Sequence, residues 1–323
     1  MDLTPQKRTK IVRIGIGIIV VLVVLLGVVL AYRHPDTPIQ PGNTAHSAKT
    51  GAAPAFAQQT SDMPLYVLLV GVDNSAPQQA NFIALAAINK AKQKVDIIML
   101  PDNTKIEGRK EKGIQDLQSV YSEGGLPLLQ AVVEDVVHLP IPYYAVFTTD
   151  SFTKLIDMAG GLPMYVEEDM YHADQNGKTD INLIQGYQRL TGAEATGYMR
   201  YMDNGGYISR TLRQERMAKV FYEDREHHFG VTNWLLAYRF WNHVDSNIAT
   251  RDMADLAFAF RNVPVDNFHF YILPGEMAKD TESQEYYSTL YWTYDPVEVQ
   301  KIIGKTNNSV TAAPKAGDTT GNT

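Results

Sequence analysis

The chain has no cysteine among its 323 residues. Disulfides, thiolate metal sites and a cysteine nucleophile are therefore excluded. Positive charge is also short: 29 Lys and Arg face 36 Asp and Glu, a formal net charge of −7. A duplex nucleic-acid binder carries a basic footprint, so no nucleic-acid partner is expected. There is no His-Glu-x-x-His, no Gly-x-Ser-x-Gly and no phosphate-cradling P-loop. No internal repeat is present. What remains, 45% hydrophobic and 20% charged residues, is the composition of a globular protein.

One long apolar run stands out. Ile14 to Tyr32, nearly all Ile, Val, Leu or Gly, carries no formal charge. Its roughly nineteen residues, at about 1.5 Å each, approach the thickness of a bilayer's hydrocarbon core. Lys7, Arg8, Lys10 and Arg13 precede it, and the positive-inside rule keeps them cytoplasmic. A cleaved signal peptide is the competing reading. Its Ala-x-Ala-like sites, Ala53-Pro-Ala55 and Ala55-Phe-Ala57, lie too far downstream. The expectation is a single-pass protein of the cell membrane. Residues 1–13 form a cytoplasmic tail, 14–32 a transmembrane helix and 33–62 a Pro-, Gly- and Ser-rich linker. An extracellular domain follows over 63–305, with a disordered tail over 306–323.

Inside the domain, Leu65 to Val72 is apolar on both faces, as a buried central strand would be. Further strands are predicted over 82–88, 95–100, 143–148, 164–166 and 268–273. Helices are predicted over 126–137, 151–159, 193–201, 210–229, 252–262 and 296–303. Strands and helices alternate irregularly, which predicts a single α/β layered domain with a mixed, mostly buried central sheet flanked by helices.

The densest chemistry lies between Gly197 and Gln214, where Arg200, Arg210, Arg213 and Gln214 fall on a short path. Arg210, Arg213 and Gln214 are spaced i, i+3, i+4 and share one side of a helix. Guanidinium forks suit bidentate recognition of phosphate oxygens. A solvated face with ordinary ion pairs is equally open, because Glu215 and Arg216 follow directly. Adjacent His227 and His228 face different ways on a helix and make a poor metal pair. The Tyr286, Tyr287, Tyr291, Trp292, Tyr294 cluster reads as packing before sugar stacking, and Glu167-Glu-Asp169 as a solvated turn.

Taken in order, several segments resemble the LytR-CpsA-Psr family of bacterial enzymes that load glycopolymers onto the cell wall. They are Leu68-Leu-Val-Gly-Val-Asp73, Pro101-Asp-Asn-Thr104, Gly124-Gly125, Leu155-Ile-Asp-Met-Ala-Gly-Gly161, Gly186 to Ala195, Tyr198-Met-Arg200 and Arg210-Thr-Leu-Arg213-Gln214. Leu273-Pro-Gly275 and Tyr291 to Pro296 extend the series. The resemblance implies a polyprenyl-pyrophosphate-linked glycan as donor, peptidoglycan as acceptor, and an apolar groove for the prenyl chain. It also implies a divalent metal, Mg2+ or Mn2+, with Asp73 as its ligand and Asn81 as a weak second. Arg200, Arg210, Arg213 and Gln214 would bind phosphate, with Arg200 and Arg210 catalytic.

Several positions depart from the family pattern, among them Tyr207, where the family has an aspartate three residues before the helix arginine. Gln79, Asp102 and Met202 stand where the family has arginine, and Asn81 where it has aspartate. Each lost arginine removes a charge-assisted contact commonly worth about 1.5–3 kcal/mol. Lys105, Arg109 and Lys110 are nearby cations that would compensate if they pointed inward. Three functions follow: a phosphotransferase with a divergent site, a catalytically silent relative that binds lipid-linked pyrophosphate or regulates active partners, and a structural envelope protein without a ligand.

Overall fold

The computed structural model describes residues 63–74, 77–107, 115–174, 176–226, 230–279 and 290–308. The predicted span 14–32, its linker, Arg109, Lys110, His227, His228, Tyr286 and Tyr287 lie outside the described residues. Among those described, no helix is long and apolar enough to cross a membrane.

The core is a sheet of six strands. β1 (Leu65–Val72), β2 (Ala80–Asn89) and β3 (Lys94–Met99) form an antiparallel meander. β4 (Tyr143–Thr148) joins β1 in parallel. Three later strands form a separate region: β5 (Leu162–Val166), β6 (Met170–Ala173) and β7 (Thr179–Leu183), with β8 (Gly186–Leu190) pairing back on β5. Two short edge additions, β9 (Asp245–Ser246) and β10 (Phe268–Ile272), complete the main sheet in the order β9-β4-β1-β2-β3-β10. Parallel and antiparallel pairings mix, as the sequence pattern predicts. β11 (Gly275–Lys279) and β12 (Leu290–Tyr294) form a final hairpin.

β1 shows why its sequence is apolar throughout. Tyr66, Leu68, Val70 and Val72 face a layer made by α1 (Leu117–Val137) and the C-terminal helix Pro296–Asn308. Leu65 and Val67 face the opposite layer, with Trp241, Leu256 and Phe260. A strand alternates its side chains between faces, so burial on both sides demands apolar residues at every position.

α1 begins nine residues before the predicted start at Leu126 and takes in a break. Asp116 caps it by accepting from Ser119 N–H at 2.7 Å. Gly125 adopts φ 63°, ψ −157° just before Pro127, the left-handed region that glycine occupies without a Cβ clash. α2 (Thr149–Met158) and α3 (Gly192–Arg200) each open with a capping box, Thr148 with Ser151 and Thr191 with Glu194. They pack closely: a Cβ on Gly192 would stand 2.1 Å from the Thr153 carbonyl oxygen, and the hydroxyls of Thr153 and Thr196 are 2.9 Å apart. α4 (Gly206–Glu226) starts four residues before the predicted Arg210.

α5 (Gly230–Trp241) and the hairpin β6–β7 were not expected from the sequence. Both left signals there. Val231, Leu235 and Tyr238 recur at helical spacing, and Asn176-Gly177 is a hairpin dipeptide. α6 (Thr250–Ala259) lies against α5. The C-terminal helix α7 (Pro296–Asn308) runs past its predicted end at 303 and past the predicted domain boundary at 305. Trp292 packs on the α1 layer and donates its indole N–H to the Leu273 carbonyl at 2.9 Å, in keeping with the packing reading.

Candidate functional site

A cavity of about 630 Å³ opens between the C-terminal end of β1, helices α2 and α3, and one side of α4. Its lining changes character along α4. Tyr207, Arg210 and Gln214 come first, then Met217, Ala218 and Phe221. From Tyr207 to Phe221 is about 21 Å of helix. β1 runs in the opposite sense, from apolar Leu69 to Asp73, which meets the polar end of α4 through Asn81 and Gln214. Phe82, Phe147, Phe152 and Leu155 enlarge the apolar part. Gly71 keeps the wall thin there, since a Cβ would stand 2.9 Å from that of Phe82.

The polar end is a chain of amides around one carboxylate. Asp73 accepts from Gln79 N–H at 3.0 Å and from the Asn81 amide at 3.1 Å. The Asn81 side-chain oxygen accepts from Gln118 at 2.6 Å, and its backbone carbonyl accepts from Gln214 at 3.0 Å. Gln118 carries no sequence signal for this role; it faces Asn81 only because the first turn of α1 crosses the end of β2.

Asp73 is the one carboxylate lining the cavity among the described residues. No group of three or more His, Asp or Glu side chains able to hold a metal occurs among them. The Asn81 oxygen is already committed to Gln118. The residues present therefore build no metal cage of their own. What they offer a divalent cation is one carboxylate, which fits only an ion shared with a ligand's phosphate oxygens.

The three arginines do not share one site: Arg200 and Arg210 line the cavity and Arg213 does not. Arg210 reaches the cavity but is ion-paired with Asp102, whose side chain is 3% exposed. The Tyr207 ring lies 5.2 Å from the guanidinium. Burial pushes the Asp102 carboxyl up to about 6, against the opposing pull of Arg210. The resemblance puts Asp102 where an arginine is expected; the structure makes it a direct partner of Arg210.

Arg200 also lines the cavity, half-exposed, 3.6 Å from Asp180. A hydrogen bond from His172 holds the Asp180 carboxyl below the usual range, although its slight desolvation works the other way. Arg213 does not line the cavity. It is buried, pairs with Asp203 and donates to the Tyr201 carbonyl and, at 3.2 Å, to Ser209 Oγ. It ties the α3–α4 connection together, so the shared face expected for Arg210, Arg213 and Gln214 divides in two. Gln79, Asn81 and Met202 line the cavity, whereas Lys105 pairs with Glu107 and is no part of its wall.

The chain is similar to the TagU polyisoprenyl-teichoic acid–peptidoglycan teichoic acid transferase of Halalkalibacterium halodurans, 28% identical over 166 residues, covering 49% of this chain and 52% of that one. It is also similar to the regulatory protein MsrR of Staphylococcus aureus, 29% identical over 168 residues, 50% of this chain and 49% of that one. It thus spans about half the length of these curated relatives. The crystal structure of TagV from B. subtilis has the same fold, with a TM-score of 0.65 and 18% identity over 76% of this chain and 98% of that one. Over residues 38–307 the sequence matches the LytR_cpsA_psr family, and the chain belongs to that family.

Proposed function

We propose that this protein takes a polyprenyl-pyrophosphate-linked glycan into the cavity and transfers the glycan phosphate to peptidoglycan at the outer face of the cell membrane. The observation that carries this reading is the grading of the cavity along α4, from Arg210 and Gln214 to Met217, Ala218 and Phe221. A lipid-linked diphosphate has the same order of chemistry, a charged head and an apolar tail. Arg200 and Arg210 would meet the charge that develops as polyprenyl phosphate departs. Mg2+ or Mn2+ would be held by Asp73 with phosphate oxygens of the donor, and would neutralise part of their charge. The uncharged run Ile14 to Tyr32 would anchor the chain in the bilayer that holds the donor.

A second reading is a silent binder or regulator of active partners. The pairing of Arg210 with Asp102 favours it, because the main phosphate-facing cation is already neutralised. Turnover decides between them. The full chain, with Mg2+ or Mn2+ and a polyprenyl-diphosphate glycan, is expected to release polyprenyl phosphate, and Arg210→Ala to abolish that release. Tight binding without release supports the silent reading. Absence of binding removes both.

A further inference from the structure

A second concavity lies across α4 from the first. It holds about 620 Å³, within the range of small-molecule sites, and is lined by Tyr165, Tyr187, Glu167, Arg216, Val220 and Glu223, among others. α4 separates the two. Its residues 210, 214, 217 and 221 face the lipid-sized cavity, and 216, 220 and 223 face this groove.

Two features need explaining. Tyr165 on β5 and Tyr187 on β8 are directly opposite in register, with ring centroids 4.8 Å apart. A cross-strand aromatic pair steadies the β5–β8 ladder, and packing against a further element would bury its rings. Tyr187 instead remains 89% exposed and Tyr165 43%. Large, stiff rings held in water are a contact surface that loses little conformational entropy on binding.

The second feature is charge. Glu167, Glu223 and Asp224 line the groove, against Arg216 as the one lining cation among the described residues. Arg216 is itself paired with Glu167, which also accepts from the Tyr198 hydroxyl at 2.7 Å. Asp224 is paired with Arg225, which leaves the groove a small net negative charge on the side of Glu223; it disfavours phosphate polymers and anionic lipid surfaces, and offers carboxylate acceptors to hydroxyl and amide N–H donors.

The geometry points to a binding site for a neutral glycan strand of linked hexosamines, with the sugar faces on Tyr165 and Tyr187 and their polar edges on Glu167, Arg216 and Glu223. It deepens the proposed function by assigning this groove to the acceptor strand, held on the far side of α4 from the donor lipid, and rests on that reading. The polymer is long, so a holding site need not adjoin the reacting phosphate.

The test is calorimetric titration of the full chain, in a sugar-free detergent, with a β-1,4-linked N-acetylglucosamine tetramer. Tyr187→Ala and Tyr165→Ala are expected each to weaken it about two- to tenfold, the worth of one aromatic contact. Farnesyl diphosphate, titrated in parallel, is expected to bind all three proteins alike. No tetramer binding, or equal binding by both variants, overturns the glycan site whatever farnesyl diphosphate does. Displacement of the tetramer by poly(glycerol phosphate) overturns it too, as does self-association that Tyr187→Ala abolishes. Tetramer binding without farnesyl diphosphate binding leaves the glycan site standing and removes the donor-lipid reading instead.

Discussion

Asp102 and Arg210, 108 residues apart in the chain, form a buried ion pair at the polar end of the cavity. The turn after β3 supplies the carboxylate and the first part of α4 supplies the guanidinium. The pair cancels the charge that a diphosphate would otherwise meet. Asp116 adds further negative potential at Asp102.

Replacing Asp102 by asparagine keeps the shape and removes that competing charge. Affinity for farnesyl diphosphate is expected to rise by about tenfold or more, since a charge-assisted contact is commonly worth about 1.5–3 kcal/mol. Calorimetric titration of both proteins at pH 7.5 checks it. Equal affinities would mean that the pair does not restrain Arg210.

The same carboxyl makes binding and stability depend on pH. Its folded value, about 6, lies above the ordinary value of 3.8. A raised acid favours the protonated native state. Its stabilising contribution is complete below the unfolded value and lost as pH rises through about 6, a difference of about 3 kcal/mol. Thermal melts of the wild type, compared with Asp102→Asn between pH 4 and 8, are expected to show this loss in the wild type only. Diphosphate binding is expected to tighten in the wild type as pH falls below about 6, where Asp102 becomes neutral.

Arg213 is predicted to be structural. Its side chain is 5% exposed and its partner Asp203 17%. Breaking a buried pair from one side commonly costs about 3–5 kcal/mol. Arg213→Ala is expected to lower the melting temperature strongly while the folded fraction keeps its affinity for farnesyl diphosphate. Arg210→Ala is expected to lose that affinity. Equal losses of binding in the two variants would return Arg213 to the phosphate site.

Ala218 sits in the apolar stretch of the α4 wall. Ala218→Trp would fill the space beside it. Excluding one five-carbon isoprene unit forfeits about 0.8 kcal/mol per buried methylene-sized group, on the order of a hundredfold or more in affinity. A series of prenyl diphosphates of increasing length measures the effect. The variant is expected to lose the gain that the wild type shows with length, and parallel curves would place the tail elsewhere.

Asn81→Asp would set a second carboxylate beside Asp73. Without metal the two charges repel and the hydrogen bond that the Asn81 amide donates to Asp73 is lost, which is expected to lower stability by about 1–3 kcal/mol. Mn2+ is expected to restore the melting temperature of the variant and to raise that of the wild type less. Melts with and without Mn2+ check this, and an unchanged variant would exclude Asp73 from a metal site.

Much of the fold was written in local pattern. β4 falls on the predicted bounds, and the helices over 149–158, 192–200 and 296–308 start within two residues of expectation. These segments carry strong punctuation, such as Gly160-Gly161, Thr191 and Pro296. The hairpin at Asn176-Gly177 was hidden by the shortness of its strands, four and five residues, and helix α5 opens on Gly230, which reads as the end of the helix before it. Asp73, Arg200, Arg210 and Gln214 were named from sequence and do line one cavity. Gln118 was not, because its role depends on a crossing between α1 and β2 rather than on its neighbours in the chain.

The order of apolar and polar residues by itself determined the mixed sheet and its flanking helices, and the series of motifs carried the resemblance to the family. Only the tertiary structure decided which side of α4 meets the cavity. At about 100° per residue, Arg213 lies roughly 60° from Arg210 on the helix, away from Gln214. Spacing can place these side chains near one another, but the packing of α3 and β5 against the helix selects the arc that faces inward. The same packing set Asp102 against Arg210, because a buried guanidinium takes the nearest carboxylate that the folded chain brings to it.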